Sequence, residues 1–277
     1  MNFEEIVSSI DSLPPLLDTT LIINKLYANG GDALDINKLI IIIESDALLS
    51  ANILKMVNSP LYGLSQQILS ITQAVTLLGT HKVYGLALSY SINNLICANV
   101  RPYGVNNATL NDISQLQSML VSQWFSKIDK KTANYLSSLA LIMESGKLVL
   151  AKEIVKVSQI KEFQLGLSTT KNVAKYENEV FGTSSYYVSG LLFEHWNINP
   201  RYTDILKSLD FEYKSKTKID IFVDILDIIR TAINIKEILS EMSIAKAADL
   251  VEDLGLDVND FINSAKKLQL QYIEQNR

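Results

Sequence analysis

The sequence predicts an all-α protein. Apolar residues recur at helical spacing along nearly the whole chain, and strand-type alternation is scarce. Breakers are few, 11 Gly and 5 Pro in 277 residues. That length allows one large or two small domains around a sizeable core. With 48% hydrophobic and 20% charged residues, the composition is that of a folded chain, not a disordered one.

Taken in order, residues 2–10 read as a short amphipathic helix. Ser12 before Leu13-Pro14-Pro15 reads as the cap of a helix running to about Asn29, ended by Gly30-Gly31. Asp35 caps a helix over 36–44. Ser45 and Asp46 then restart another, whose inward stripe is Leu49, Ile53, Leu54, Met56 and Val57. It stops at Asn58-Ser59-Pro60, because Asn tolerates a left-handed helix end and the residue before Pro is pushed out of the helical region. After a turn at Tyr62-Gly63, Ser70 and Gln73 form a capping-box pattern for a helix ending at Gly79. These starts and stops within 39–79 predict a compact helical corner that shapes a surface, with no nucleophile–base pair.

Thr80 is expected to cap a helix from His81 to about Ala98. Arg101–Asn107 is the clearest break in the chain and reads as a hinge or connection between two halves. Helices follow at about 109–128, 132–150 and 151–157. The next runs from Ser168 to Phe181, and another from Thr183 through Trp196. Asn199-Pro200 starts one more. A long helix over 216–240 shows Ile219, Phe222, Val223, Leu226, Ile229 and Ile233 on one face, and Ser243 and Asp257 cap the last two.

Charge and composition exclude several classes. The formal net charge is −5 and no concentrated Lys/Arg face is visible, which argues against nucleic acid as a partner. Cys97, the single cysteine, rules out an internal disulfide and suits a reducing compartment; in its setting it reads as a small buried or half-buried thiol, not a nucleophile. The acidic N-terminus lacks a signal-peptide pattern, and no apolar run reaches membrane-spanning length, so a cytoplasmic location without membrane insertion is expected. His81 and His195 lack partners at ligand spacing and read as a capping or surface residue and a packed one. Ser59 and Ser185 have no His near them in sequence. The basic run Lys127–Lys131 is interrupted by Asp129 and reads as a solvated helix junction. Asn58 reads as a helix terminator before a partner contact.

The pieces LPPL (13–16), IIESDALLSANILKMVNSPLYG (42–63) and ILSITQAVTLLG (68–79) resemble, in order and spacing, the HDOD family, helical relatives of HD-type phosphohydrolases. Asp46-Ala47 stands where the family commonly has Asp-Pro. The resemblance covers about residues 13–210. It implies an N-terminal helical half (about 1–105) packed on a degenerate HD-like half (about 106–240), with 241–277 as a helical extension. Asp46, Asn58, Ser59, Tyr62, Gly63 and Gly79 would be the family's structural or interaction residues.

In HD phosphohydrolases, His and Asp ligands hold a divalent cation that activates water and braces a phosphoryl group. By resemblance those positions fall here on Gln117, Met143, Glu144, Ser185, the Ser208–Leu209 pair and Asp227. Met is no ligand for a hard metal and Ser is a weak one. The resemblance therefore implies a signalling or regulatory protein acting through protein partners, without catalysis or cofactor. The alternatives are a phosphohydrolase with an altered metal site and a non-catalytic binder of a nucleotide or second messenger, for which Lys147 is the one cation the sequence places at the pocket.

Overall fold

The structure, a computed structural model, describes residues 2–30, 34–210, 213 and 220–275. It is all-α: among the described residues there are sixteen α-helices and no strand beyond a single bridge between Ile233 and Ile238. None of these helices is long and apolar enough to cross a membrane.

Six helices make the first half: α1 (Phe3–Asp11), α2 (Asp18–Gly30), α3 (Ile36–Glu44), α4 (Ala47–Val57), α5 (Ile71–Leu78) and α6 (Thr80–Ile96). Asp35, Asp46 and Ser70 cap α3, α4 and α5 by accepting first-turn N–H groups. Gln73 reaches back to the N–H of Leu69, one residue short of the usual capping-box partner. The loop between α4 and α5 is fastened by Asn58. Its amide donates to the carbonyls of Leu54 and Ile68, both at 2.8 Å, and its oxygen accepts from the N–H of Ile68 at 2.8 Å. Ser59 opens a 3-10 turn (Pro60–Tyr62), and Gly63 closes it at φ +58°.

The second half holds α7 (Asn107–Leu120), a π-helical turn (Val121–Phe125), α8 (Lys130–Ala140), α9 (Gly146–Lys156), α10 (Ile160–Thr169), α11 (Val173–Phe181), α12 (Ser185–His195), α13 (Pro200–Ser208) and α14 (Asp220–Ala232). Two more helices, α15 (Glu241–Asp253) and α16 (Val258–Gln275), return across it. The buried apolar side chains form one continuous core. It takes Leu39, Ile43 and Ile53 from the first half, Trp124, Phe193 and Ile229 from the second, and Phe261 and Leu268 from α16.

The halves exchange their ends. α1 packs on α9 and α12, and α16 packs on α7, the π-helical turn and the 3-10 turn of the first half. The Leu13-Pro14 segment is tied to the end of α12: Trp196 Nε1 donates to the Pro14 carbonyl at 2.9 Å, and His195 Nε2 lies 3.1 Å from the Leu13 carbonyl. The break at Arg101–Asn107 is packed, which favours a fixed connection over a hinge. Pro102 and Tyr103 are buried, and Asn107 clasps the segment through the N–H of Val100 and the carbonyl of Ala98.

Several helix boundaries differ from the sequence reading. Ser12 ends α1, and α2 begins at Asp18, after both prolines. Thr80 is already the first residue of α6 and makes no capping bond; Gly79 precedes it in an extended turn. Cys97 is exposed and stands in the left-handed region at φ 48°, just past the end of α6. Asn106 starts the next helix two residues early. The expected helices 132–150 and 151–157 are divided at 141–145 instead, where consecutive i to i+3 bonds make a tight turn. Ser168 lies near the end of α10, and Asn172 caps α11. Ser184 and not Thr183 caps α12.

Helix α14 ends at Ala232, because the Asn234 side chain accepts from the N–H groups of Lys236 and Glu237 and turns the chain. Ser240 caps α15, while Ser243 donates its hydroxyl to the Ala232 carbonyl at 2.9 Å. Gly31, residues 216–219 and with them Ile219 lie outside the described residues.

Candidate functional site

The turn at 141–145 sets the geometry of the interior. It points Glu144 inward and starts α9 at Gly146, so that Lys147 projects to the same place. Gly146 sits against α12, its N–H donating to Ser189 Oγ at 2.8 Å. A β-carbon on Gly146 would stand 1.9 Å from the Ser185 carbonyl oxygen, so only glycine permits this approach.

Lys147 is the centre of the cluster. Its side chain is 3% exposed and that of Glu144 2%, so both charges are out of water. The ammonium lies 2.6 Å from Glu144 Oε2 as an ion-pair contact and donates to Ser185 Oγ at 2.9 Å. It also faces the rings of Tyr186, at 4.6 Å, and Tyr103, at 5.8 Å. The other Glu144 oxygen accepts from Gln117 Nε2 at 2.8 Å and from the Tyr186 hydroxyl at 3.3 Å. Gln117 Nε2 also donates to the Ile233 carbonyl at 2.9 Å. Burial, the largest single influence, pulls the Lys147 ammonium down, but Glu144, Tyr186 and Glu177 together outweigh it and hold the group above the ordinary lysine range. Lys147 is therefore a fixed internal cation.

Gln117, Glu144 and Ser185 thus meet at one ammonium. Met143 is fully buried and joins through its carbonyl, which accepts from Ser189 Oγ at 2.9 Å. Asp227 stands at the rim and pairs with Arg230 Nε at 2.5 Å. Arg230 donates to the Leu209 carbonyl at 2.8 Å and lies 4.6 Å from the Tyr186 ring, so Leu209 is connected through its main chain. Ser208 is not part of the cluster; its hydroxyl donates to Asp204 of its own helix at 2.7 Å.

Four participants are not apparent from the sequence. Glu177 is fully buried, accepts from the Tyr103 hydroxyl at 2.8 Å and takes the Ser185 N–H at 2.7 Å. Tyr186 and Arg230 close the cluster as described. Asp210 accepts from the N–H of Ser184 at 3.0 Å and from Asn178 at 3.2 Å. The one available signal was Tyr103, an aromatic residue within a Pro/Gly break.

These residues do not fit a divalent cation. Such an ion needs several oxygen or imidazole donors. Here Gln117 turns its N–H toward the shared carboxylate, Met143 brings a soft thioether, and Ser185 accepts from an ammonium. A dication beside Glu144 would be repelled by Lys147, and Asp227 is engaged with Arg230.

The motif corner lies apart from this cluster. Asp46 and Gly79 define helix ends, Asn58 fastens the loop, and Tyr62 covers Lys82, whose Nζ is 5.5 Å from its ring. Buried Lys82 also lies 3.4 Å from Ser122 Oγ.

A motif corner of this kind, joined to a second helical half in one core, defines the class of HDOD-type helical domains. The HDOD domain matches residues 13–209, more than half of the chain, and the protein belongs to that family. Solved structures agree over nearly the whole length. A virulence factor from Campylobacter jejuni subsp. jejuni is 25% identical with a TM-score of 0.56, and the match covers 96% of each chain. A protein described provisionally as a phosphohydrolase, from Shewanella amazonensis, is 16% identical with a TM-score of 0.66, covering 98% of this chain and 96% of that one. One from Marinobacter aquaeolei, described provisionally as a signal transduction protein, is 18% identical with a TM-score of 0.67, covering all of this chain and 62% of that one. Comparison with curated protein sequences finds no match.

Proposed function

We propose that this HDOD protein is a non-catalytic part of bacterial signal transduction or regulation that works through contacts with other proteins. The observation that carries the reading is the Lys147 ammonium. It places, from within the chain, a positive charge against Glu144 and Ser185, two of the positions at which the HD-type enzymes hold a metal, and so takes up the donors a metal would need. The similarity to a virulence factor and to a signal transduction protein is consistent with a regulatory role. Protein contact is favoured by the motif corner, where Ile41, Leu48, Leu69 and Leu77 remain 66%, 69%, 70% and 48% exposed.

The test is metal content by mass spectrometry on protein purified without chelator, paired with phosphohydrolase assays. The expected result is folded protein with substoichiometric metal and no turnover. Stoichiometric manganese, iron or zinc together with turnover would overturn the reading. A second measurement addresses the cluster. Lys147→Met leaves Glu144 buried and unpaired and should cost about 3–5 kcal/mol by urea unfolding, while the Lys147→Met/Glu144→Gln pair should recover part of that loss.

A further inference from the structure

The longest stretch of this chain without a charged side chain runs from Met56 to Thr80. In a sequence with 20% charged residues such a run normally marks an interior. Here much of it is surface: Leu69, Thr72, Gln73, Thr76 and Leu77 are all exposed.

Helix α5 accounts for the pattern. It turns Ile71, Ala74 and Val75 into the core, which leaves Thr72, Gln73, Thr76 and Leu77 on its outer side, with Leu69 just before the cap. Polar groups of that face are already occupied. The Thr76 hydroxyl donates to the Thr72 carbonyl at 2.8 Å, and Gln73 Oε1 accepts from the N–H of Leu69 at 2.8 Å. Covering the face therefore strands few polar groups, while the two leucines leave water.

Two features identify what covers it. One is the order of the face, which reads Leu-Thr-Gln-Thr-Leu in either direction, with Leu69 and Leu77 each four residues from Gln73. A second copy laid antiparallel across it, with the two-fold axis at Gln73, sets Leu69 of each chain against Leu77 of the other. That is the self-complementarity an isologous contact requires. The other is charge. The chain carries a formal net charge of −5, so two copies repel, and a face without charge lets them meet without opposing like charges. A lipid surface is the poorer match, because helices that lie on membranes carry Lys and Arg on their polar face and α5 has neither.

We propose that the outer face of α5 binds a second copy of this chain, forming a two-fold homodimer in which the two α5 helices lie antiparallel about Gln73. The proposal rests on the reading of the motif corner as a protein-contact surface and names the partner. The two fail separately. A monomer would leave metal-free, inactive protein as it stands, and bound metal with turnover would leave the dimer untouched.

The experiment is sedimentation velocity of the full chain across about 1–200 μM, where a small interface should show a reversible monomer–dimer equilibrium. Leu69→Lys and Leu77→Glu, both at exposed positions, should each raise the dissociation constant about tenfold or more and leave the circular dichroism spectrum unchanged. In the Leu69→Lys/Leu77→Glu double variant each lysine faces the glutamate of the other copy, and the dimer should return. Within one chain the two positions stand about two turns apart, beyond the spacing at which side chains on a helix pair. Leu165→Lys, on α10 and 71% exposed, is the control and should leave the dimer intact. A monomer at every concentration would overturn the proposal, as would single variants that dimerise like the parent. A double variant that stays monomeric, or an equal loss in the Leu165 variant, would also overturn it.

Discussion

Two buried lysines in this molecule meet opposite fates. Lys147 has a carboxylate within 2.6 Å and stays charged. Lys82 has a hydroxyl and a tyrosine face, and burial alone pulls its ammonium down to about 8 from an ordinary value near 10.5. Between these two values the unfolded chain holds a proton that the folded chain has lost. Folding stability attributable to Lys82 therefore rises with pH across that window, and its burial penalty is greatest below pH 8. Lys82→Met should be more stable than the parent at pH 7, by an amount on the order of 1–3 kcal/mol, and the gap should close toward pH 10. Urea unfolding of both proteins at the two pH values reads this directly; a gap independent of pH would refute it. The family resemblance had assigned Gln117, Glu144 and Ser185 to one site, and they do meet there. It gave no hint of Glu177, Arg230 or Asp210, which are single polar residues on helices and acquire partners only through the crossing of those helices.

At the scale of the element, close approach decides more than propensity does. α9 and α12 touch because residue 146 has no side chain, and their contact is what brings Ser185 to Lys147. Gly146→Ala would drive a methyl group into backbone on two sides, the Ser185 carbonyl and the Ser189 N–H. It should cost at least about 2 kcal/mol by urea unfolding, at the upper part of the range for overpacking. Gly63→Ala is the control. There the new carbon meets only the tip of the Gln271 side chain, and the left-handed φ should cost about 1 kcal/mol. Equal losses at the two positions would count against the close-approach account. Helix starts with Asp, Asn or Ser at the cap were legible, as Asp35, Asp46, Ser70 and Asp257 illustrate. The turn at 141–145 was not, because Leu141, Ile142 and Met143 continue the apolar pattern and are buried whether the chain is helical or turning. Tertiary packing, not local sequence, breaks the helix there.

The two halves share one core, and the two tryptophans report on different parts of it. Trp124 packs edge-on against Phe261 of α16 at 5.0 Å between ring centroids, and Trp196 holds the Pro14 carbonyl near the N-terminus. In single-tryptophan variants Trp124→Phe and Trp196→Phe, fluorescence and far-ultraviolet circular dichroism should trace the same unfolding transition. Separated midpoints would show that the halves unfold independently. The all-α class was readable from periodicity. The exchange of ends was not, since a helix's inward face does not say which neighbour will cover it. That exchange bears on the order of events during synthesis. The turn carrying Tyr62 is made well before α16, the helix that packs against it. The first half therefore emerges with part of its apolar surface uncovered and reaches its final packing only when α16 has left the exit tunnel.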